Sequence, residues 1–177
     1  DVRIFSAGSL GDGEEDINDL YAAIDQADLL LLNETASDPI WKEINEYIKN
    51  STLPMVYVGG EAATHVKNAQ QAKWTAFANA YYTYGGAENT LNMLSFLCAE
   101  VLGEDISYGE VQRIPWDAIF APDGTLYDSP ESYFADYPRS EKGTIALVVS
   151  RSAWVSDDMQ VENCLIREIL AAGFSVL

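Results

Sequence analysis

Leu29-Leu30-Leu31-Leu32 and Met55-Val56-Tyr57-Val58-Gly59-Gly60 are two continuous apolar runs separated by a helix-length stretch. Runs without polar alternation suit strands buried on both faces of a parallel sheet. Between them Asp38-Pro39 supplies an N-cap and first-turn pair, followed by Ile40, Trp41, Ile44, Tyr47 and Ile48 at helical spacing. Upstream, Val2–Ala7 reads as a further strand and residues 15–26 as a helix with Ile17, Leu20, Tyr21 and Ile24 on one face. The order β-α-β-α-β predicts an α/β fold: an open parallel sheet, flavodoxin- or Rossmann-like, flanked by helices.

Downstream the pattern turns helical. Residues 65–82 carry Val66, Ala69, Ala72 or Lys73, Ala76, Phe77 and Ala80 as the expected inward face, and Gly85-Gly86 ends that segment. Residues 87–102 follow with Leu91, Leu94, Leu97 or Cys98, Val101 and Leu102, closed by Gly103. An N-terminal α/β domain is therefore expected over 1–103. Residues 104–142 form a proline-containing connection rich in Tyr, Trp and Phe. Disordered linkers are poor in aromatics, so this segment is expected to be ordered and packed. Thr144–Ser150 is a strong strand, and Ser156-Asp157 reads as the cap of a last helix with Val161, Cys164, Leu165 and Ile169 inward. Gly173 then falls where a helix needs a left-handed residue, and Phe174-Ser175-Val176-Leu177 opens a strand. Residues 143–177 thus begin a second β-α-β unit. The unfinished strand and the first residue, Asp1, predict a piece cut from a longer protein.

Composition narrows the function classes. The chain has 177 residues, 48% of them hydrophobic, enough for a sizeable core. Its net charge is −18, and residues 12–28 hold seven acids and no base. Such a surface repels phosphate backbones, which argues against a nucleic-acid partner. The longest apolar runs are far too short to span a bilayer. The two cysteines, Cys98 and Cys164, form no metal-binding spacing and no disulfide framework, so a cytoplasmic location is expected.

Few residues invite chemistry. Gly8-Ser9-Leu10-Gly11-Asp12-Gly13 follows the first expected strand, yet it is neither GxGxxG nor a Walker A loop. Glu14, Glu15 and Asp16 would repel a phosphate there, so a glycine turn is the better reading. The sole histidine, His65, stands four residues from Glu61 on the Gly59-Gly60-Glu61 loop. That loop lies at the carboxyl end of a strand, where open α/β sheets take ligands, but one His and one Glu make an incomplete metal or proton site. Gly85-Gly86-Ala87-Glu88-Asn89 reads as punctuation between helices, with Glu88 favoured by the helix dipole. Arg151-Ser152-Ala153-Trp154 sets a cation and an indole directly after a strand. It is the best binding candidate; the alternative is a strand–helix corner with Trp154 filling the core. No catalytic residue and no metal ligand set is assigned.

Three segments in order resemble one family. They are Tyr84-Gly85-Gly86-Ala87-Glu88-Asn89 running on through Asn92 to Phe96-Leu97, the aromatic connection to Tyr137-Pro138, and Gly143-Thr144-Ile145-Ala146-Leu147-Val148-Val149-Ser150-Arg151-Ser152-Ala153-Trp154 running on to Leu177. Together they resemble the N-terminal region of the large subunits of cobaltochelatase (CobN) and of magnesium chelatase. The resemblance implies a very large protein that holds a tetrapyrrole while cobalt or magnesium is inserted into a corrinoid or porphyrin ring. It implies that separate AAA+ chelatase partners hydrolyse ATP, and that this piece binds no cofactor and has no turnover alone. Arg151, Ser152, Trp154, Gly59, Gly60 and Glu61 are the residues expected at the tetrapyrrole. Where a strand-end histidine is expected in some members, this chain has Leu32-Asn33-Glu34-Thr35. The rival expectation is a non-catalytic α/β module that binds a small molecule or a protein.

Overall fold

A computed structural model describes residues 1–33, 39–60, 62–156 and 158–177. The fold is α/β, with parallel strand pairs flanked by helices. The chain divides into two compact units, Asp1–Tyr84 with Glu88–Gln112, and Gly85–Ala87 with Arg113–Leu177.

The first unit opens with two helices, α1 (Ala7–Gly11) and α2 (Ile17–Asp25), and then strand β1 (Leu30–Leu32). Helix α3 (Ile40–Ile48) leads to β2 (Met55–Tyr57), which pairs parallel to β1 with Leu30 opposite Met55 and Leu32 opposite Tyr57. The short 3₁₀ turn Ala62–His65 precedes α4 (Ala69–Tyr84), and α5 (Ala87–Glu100) follows. Strand β2 is buried on both faces, as an unbroken apolar run suits, whereas in β1 Leu30 is buried and Leu31 is 36% exposed. Leu30, Met55 and Tyr57 join Leu10, Ile24, Ile44 and Ile48 in one core cluster. Val56 and Val58 join Ala78, Tyr81, Met93, Phe96 and Leu97 in the other.

Several expectations for this unit need correction. Residues 1–6 carry no strand: Val2 and Ile4 are 65% and 86% exposed, while Phe5 packs on the first cluster. With no neighbouring strand to bond, the backbone instead gives the Ser6 N–H to Glu15 Oε2 at 3.1 Å. The glycine turn at 8–13 is in large part helical, forming α1, whose Leu10 is buried. The phase of α4 is also different. Gln71, Thr75, Ala78 and Tyr81 are buried, whereas Phe77 is 49% exposed. In α5 Leu97 is buried and Val101, just past the helix, packs on the second cluster as expected, but Asn89, Met93 and Phe96 complete the buried face and Leu91 is 65% exposed. A polar inward face misleads hydrophobic periodicity, and its cause is the bonding described below. Asp38, expected to cap α3, lies outside the described residues.

The second unit begins with an antiparallel hairpin, β3 (Ile119–Phe120) and β4 (Leu126–Tyr127). Its Pro122-Asp123-Gly124 turn is closed by the Asp123 carboxylate, which accepts from Thr125 N at 2.9 Å. Helix α6 (Pro130–Asp136) carries proline at its first turn and is capped by Ser129, whose Oγ accepts from Ser132 N. Strand β5 (Thr144–Ile145) then leads through α7 (Arg151–Val155) and α8 (Gln160–Ala171) to β6 (Ser175–Val176), parallel to β5. Ladder bonding extends past the strand ends, with Leu147 N donating to Leu177 O at 2.7 Å. Gly173 sits at φ 84° just past α8, as its place in the sequence requires.

Two readings of this unit change. Ser156 ends α7 rather than capping α8, which begins at Gln160, and Asp157 lies outside the described residues. The inward residue of α8 is Ile166, whereas Val161 and Leu165 are 68% and 45% exposed. The helix carries two adjacent apolar stripes, and its packing on β6 selects the one containing Ile166.

Candidate ligand-binding site

Gly59 lies two residues past the end of β2, within the first unit. Its φ is +97°, and a Cβ there would stand 2.5 Å from Asn33 Oδ1 at the end of β1. Its dihedral therefore favours glycine, and any Cβ would oblige the Asn33 side chain to shift. Asn33 in turn donates through Nδ2 to the Tyr82 hydroxyl at 2.8 Å. The Gly59 N–H donates to Asn79 Oδ1 at 2.9 Å, and Gly60 beside it is exposed. Glu61 lies outside the described residues. His65 is stacked on Tyr57 with ring centroids 5.0 Å apart.

Asn79 is the last rung of a polar ladder on α4. Gln71 Nε2 donates to Met55 O at 3.0 Å, and Tyr57 N donates to Thr75 Oγ1 at 3.3 Å. Residues 71, 75 and 79 are spaced by one turn, so one helix face serves the edge of β2 that faces away from β1. A buried strand edge must satisfy its backbone groups, and here a helix does so through side chains.

The second cluster of interest belongs to the second unit. Ser150 caps α7, its Oγ accepting from Ser152 N at 3.3 Å and lying 2.7 Å from Ser152 Oγ. Arg151 Nε donates to Pro115 O at 2.9 Å, and an Nη atom to Ile114 O at 3.4 Å. The guanidinium carbon stands 4.5 Å from the centroid of the Trp116 ring. Trp154 is half-buried and meets Phe120 edge-on at 6.5 Å. Gly59 and Gly60 thus belong to one unit, and Arg151, Ser152 and Trp154 to the other.

Other polar groups shape these surroundings. Asn89 is 1% exposed; it accepts from Gln112 N at 2.8 Å and donates to Gln112 O at 2.9 Å. Asn92 accepts from Gly109 N at 2.8 Å, and the Tyr81 hydroxyl donates to Gly109 O. The asparagines therefore hold residues 109–112 against α5. Sequence alone makes Asn89 punctuation; the signal that points further is an amide on an otherwise apolar helix face. In the aromatic connection, the Tyr127 hydroxyl donates to Asp136 at 2.8 Å, and that bond pushes its pKa up to about 12. Burial raises Tyr133 and Tyr137, while the backbone bond from Thr125 lowers Asp123. An open groove of about 490 Å³ between Pro122 and α8 is lined by Gln160, Asn163, Ile166, Arg167 and Leu170, none of them an expected site residue. Among the described residues no group of three His, Cys, Asp or Glu could hold a metal ion. No helix among them is long and apolar enough to cross a membrane.

Comparison with known proteins gives three findings. The family model for CobN/Magnesium Chelatase matches residues 79–177. The uncharacterised protein MJ1441 of Methanocaldococcus jannaschii is 28% identical over 143 residues, 80% of this chain and 10% of that protein. The catalytic subunit of cobaltochelatase from Mycobacterium tuberculosis is similar in fold, with a TM-score of 0.58 and 21% identity, over 92% of this chain and 13% of that one. The chain spans about a tenth of the length of these relatives.

Proposed function

Because the chain belongs to the CobN/magnesium chelatase family, we propose that it serves the large, tetrapyrrole-holding subunit of an ATP-dependent metal chelatase. In this reading cobalt or magnesium is the substrate ion, inserted into a corrinoid or porphyrin ring. ATP is hydrolysed by AAA+ partner subunits, and the present chain contributes to holding the ring rather than to turnover. The observation that carries the reading is the family match over 79–177, which takes in both the Gly85-to-Asn89 segment and the Arg151-to-Trp154 segment.

In the first unit the proposed contacts are Gly59 and Gly60, with Glu61 following them in sequence; in the second they are the α7 residues Arg151, Ser152 and Trp154. Carboxyl ends of parallel strands are where open α/β sheets receive ligands. Glycine leaves backbone accessible at Gly60, and Arg151 supplies a cation in a chain whose net charge is −18. A carboxylate-bearing ring would otherwise be repelled by such a chain.

Titration of the chain with a free-base porphyrin and with a metal-free corrinoid, followed by visible absorption, tests this. Saturable binding of either ring supports the reading. Failure to bind both at moderate ionic strength would remove the ring-holding role and leave the protein-binding alternative.

A further inference from the structure

We infer that Trp116 is the surface on which a flat conjugated ligand stacks, and that Arg151 is the residue that positions it. The inference rests on the tetrapyrrole reading above and deepens it.

Of the four tryptophans, Trp116 alone is exposed, at 63%. An indole left in water forgoes one of the largest apolar burials available to a side chain. This ring is nevertheless held in place. The Arg151 guanidinium lies 4.5 Å from its centroid. The same guanidinium donates to the carbonyls of Pro115 and Ile114, the two residues directly before the tryptophan. Arg151 itself is fixed at the first position of α7, behind the Ser150 cap. A planar fork thus grips the backbone on one side while its face backs the indole, a combination that lysine cannot reproduce.

The result is a pre-organised platform: a large π surface, exposed, with its backbone pinned. Binding there costs little ordering entropy, which is what makes an exposed aromatic effective as an anchor. The ligand class that fits is a flat conjugated ring system with peripheral carboxylates. Arg113 is exposed three residues upstream and adds positive charge, and Asp117 follows the tryptophan as the nearest acid in sequence. On this view the hydrogen bonds of Arg151 to Ile114 and Pro115 serve the platform.

The test uses the full chain and mesoporphyrin as the ligand, read by tryptophan quenching and by the shift of the porphyrin absorption band. Trp116→Ala is expected to weaken binding by about tenfold or more, the scale of losing one stacking partner. Trp116→Phe should keep most of the affinity, because a flat ring remains. Arg151→Lys should weaken binding although the charge is kept and the thermal melt is unchanged. Wild-type binding that persists unaltered in Trp116→Ala overturns the inference and leaves the ring-holding role intact. Absence of wild-type binding overturns both. Equal affinity in Arg151→Lys removes the positioning role, and loss of binding in Trp116→Phe equal to that in Trp116→Ala removes stacking as the cause.

Discussion

Gln71, Thr75 and Asn79 show how much a single side chain can carry. Each would read as a solvent-facing residue on a helix, yet Gln71 and Thr75 are 6% and 4% exposed and bond the backbone of β2. Replacing Thr75 by valine keeps the volume but leaves the Tyr57 N–H without its acceptor. An orphaned buried donor costs about 1–3 kcal/mol, so Thr75→Val should lower the stability of the first unit by that amount in urea melts. A change under about 0.5 kcal/mol would mean the N–H finds another partner. Gly59→Ala meets two penalties at once, a left-handed φ of +97° and a Cβ 2.5 Å from Asn33 Oδ1. Its expected cost is about 1–3 kcal/mol, measured the same way; a neutral variant would show that Asn33 can swing aside. None of these contacts is legible in the sequence, because they join residues 16 to 26 positions apart.

Among the elements, α2 and α3 are legible because their apolar faces have one phase only. They also clasp each other. Tyr21 and Tyr47 stack at 3.9 Å, each hydroxyl bonded to an acid of the opposite helix, Glu43 and Asp25. The start of α2 rests on Asp16, whose carboxylate accepts from Asn18 N at 2.9 Å. Asp16→Ala should cost about 0.5–2 kcal/mol and fray that helix, visible as faster amide exchange at residues 17–19. Unchanged exchange there would show that the helix start does not depend on its cap. Helices α4, α5 and α8 are legible in extent but not in rotation. Their inward faces contain amides and a hydroxyl, or one of two equal apolar stripes, and periodicity cannot choose among those.

Charge acts on the whole molecule. At −18 the folded chain repels itself, so added monovalent salt should raise its melting temperature from low ionic strength upward. A flat response between low and physiological salt would count against that. Proton linkage works at both extremes of pH. Tyr127 titrates at about 12 when folded, above the ordinary tyrosine value of 10.0. Its raised pKa contributes stability that is fully present below pH 10 and is lost as pH climbs through about 12. Asp123 is depressed, so its contribution holds above the usual carboxylate range and fades as pH falls through its lowered pKa. Tyr127→Phe should therefore flatten the alkaline loss of stability in the second unit; a wild-type alkaline profile in that variant would mean that other groups control it.

Local pattern was sufficient for the α/β class, for the parallel pairing of the two apolar runs, for most helix positions and for the segments that match the family, since all of these depend on residues close in sequence. The absence of the strand expected at Val2–Ala7, the inward rotation of α4, α5 and α8, the grip of Asn89 on Gln112 and the contact of Arg151 with Trp116 came only from the folded chain. Each depends on a partner many residues away. A strand exists only if a neighbour bonds it, a helix face is buried only against something, and a guanidinium has a purpose only once the carbonyls it meets are in place.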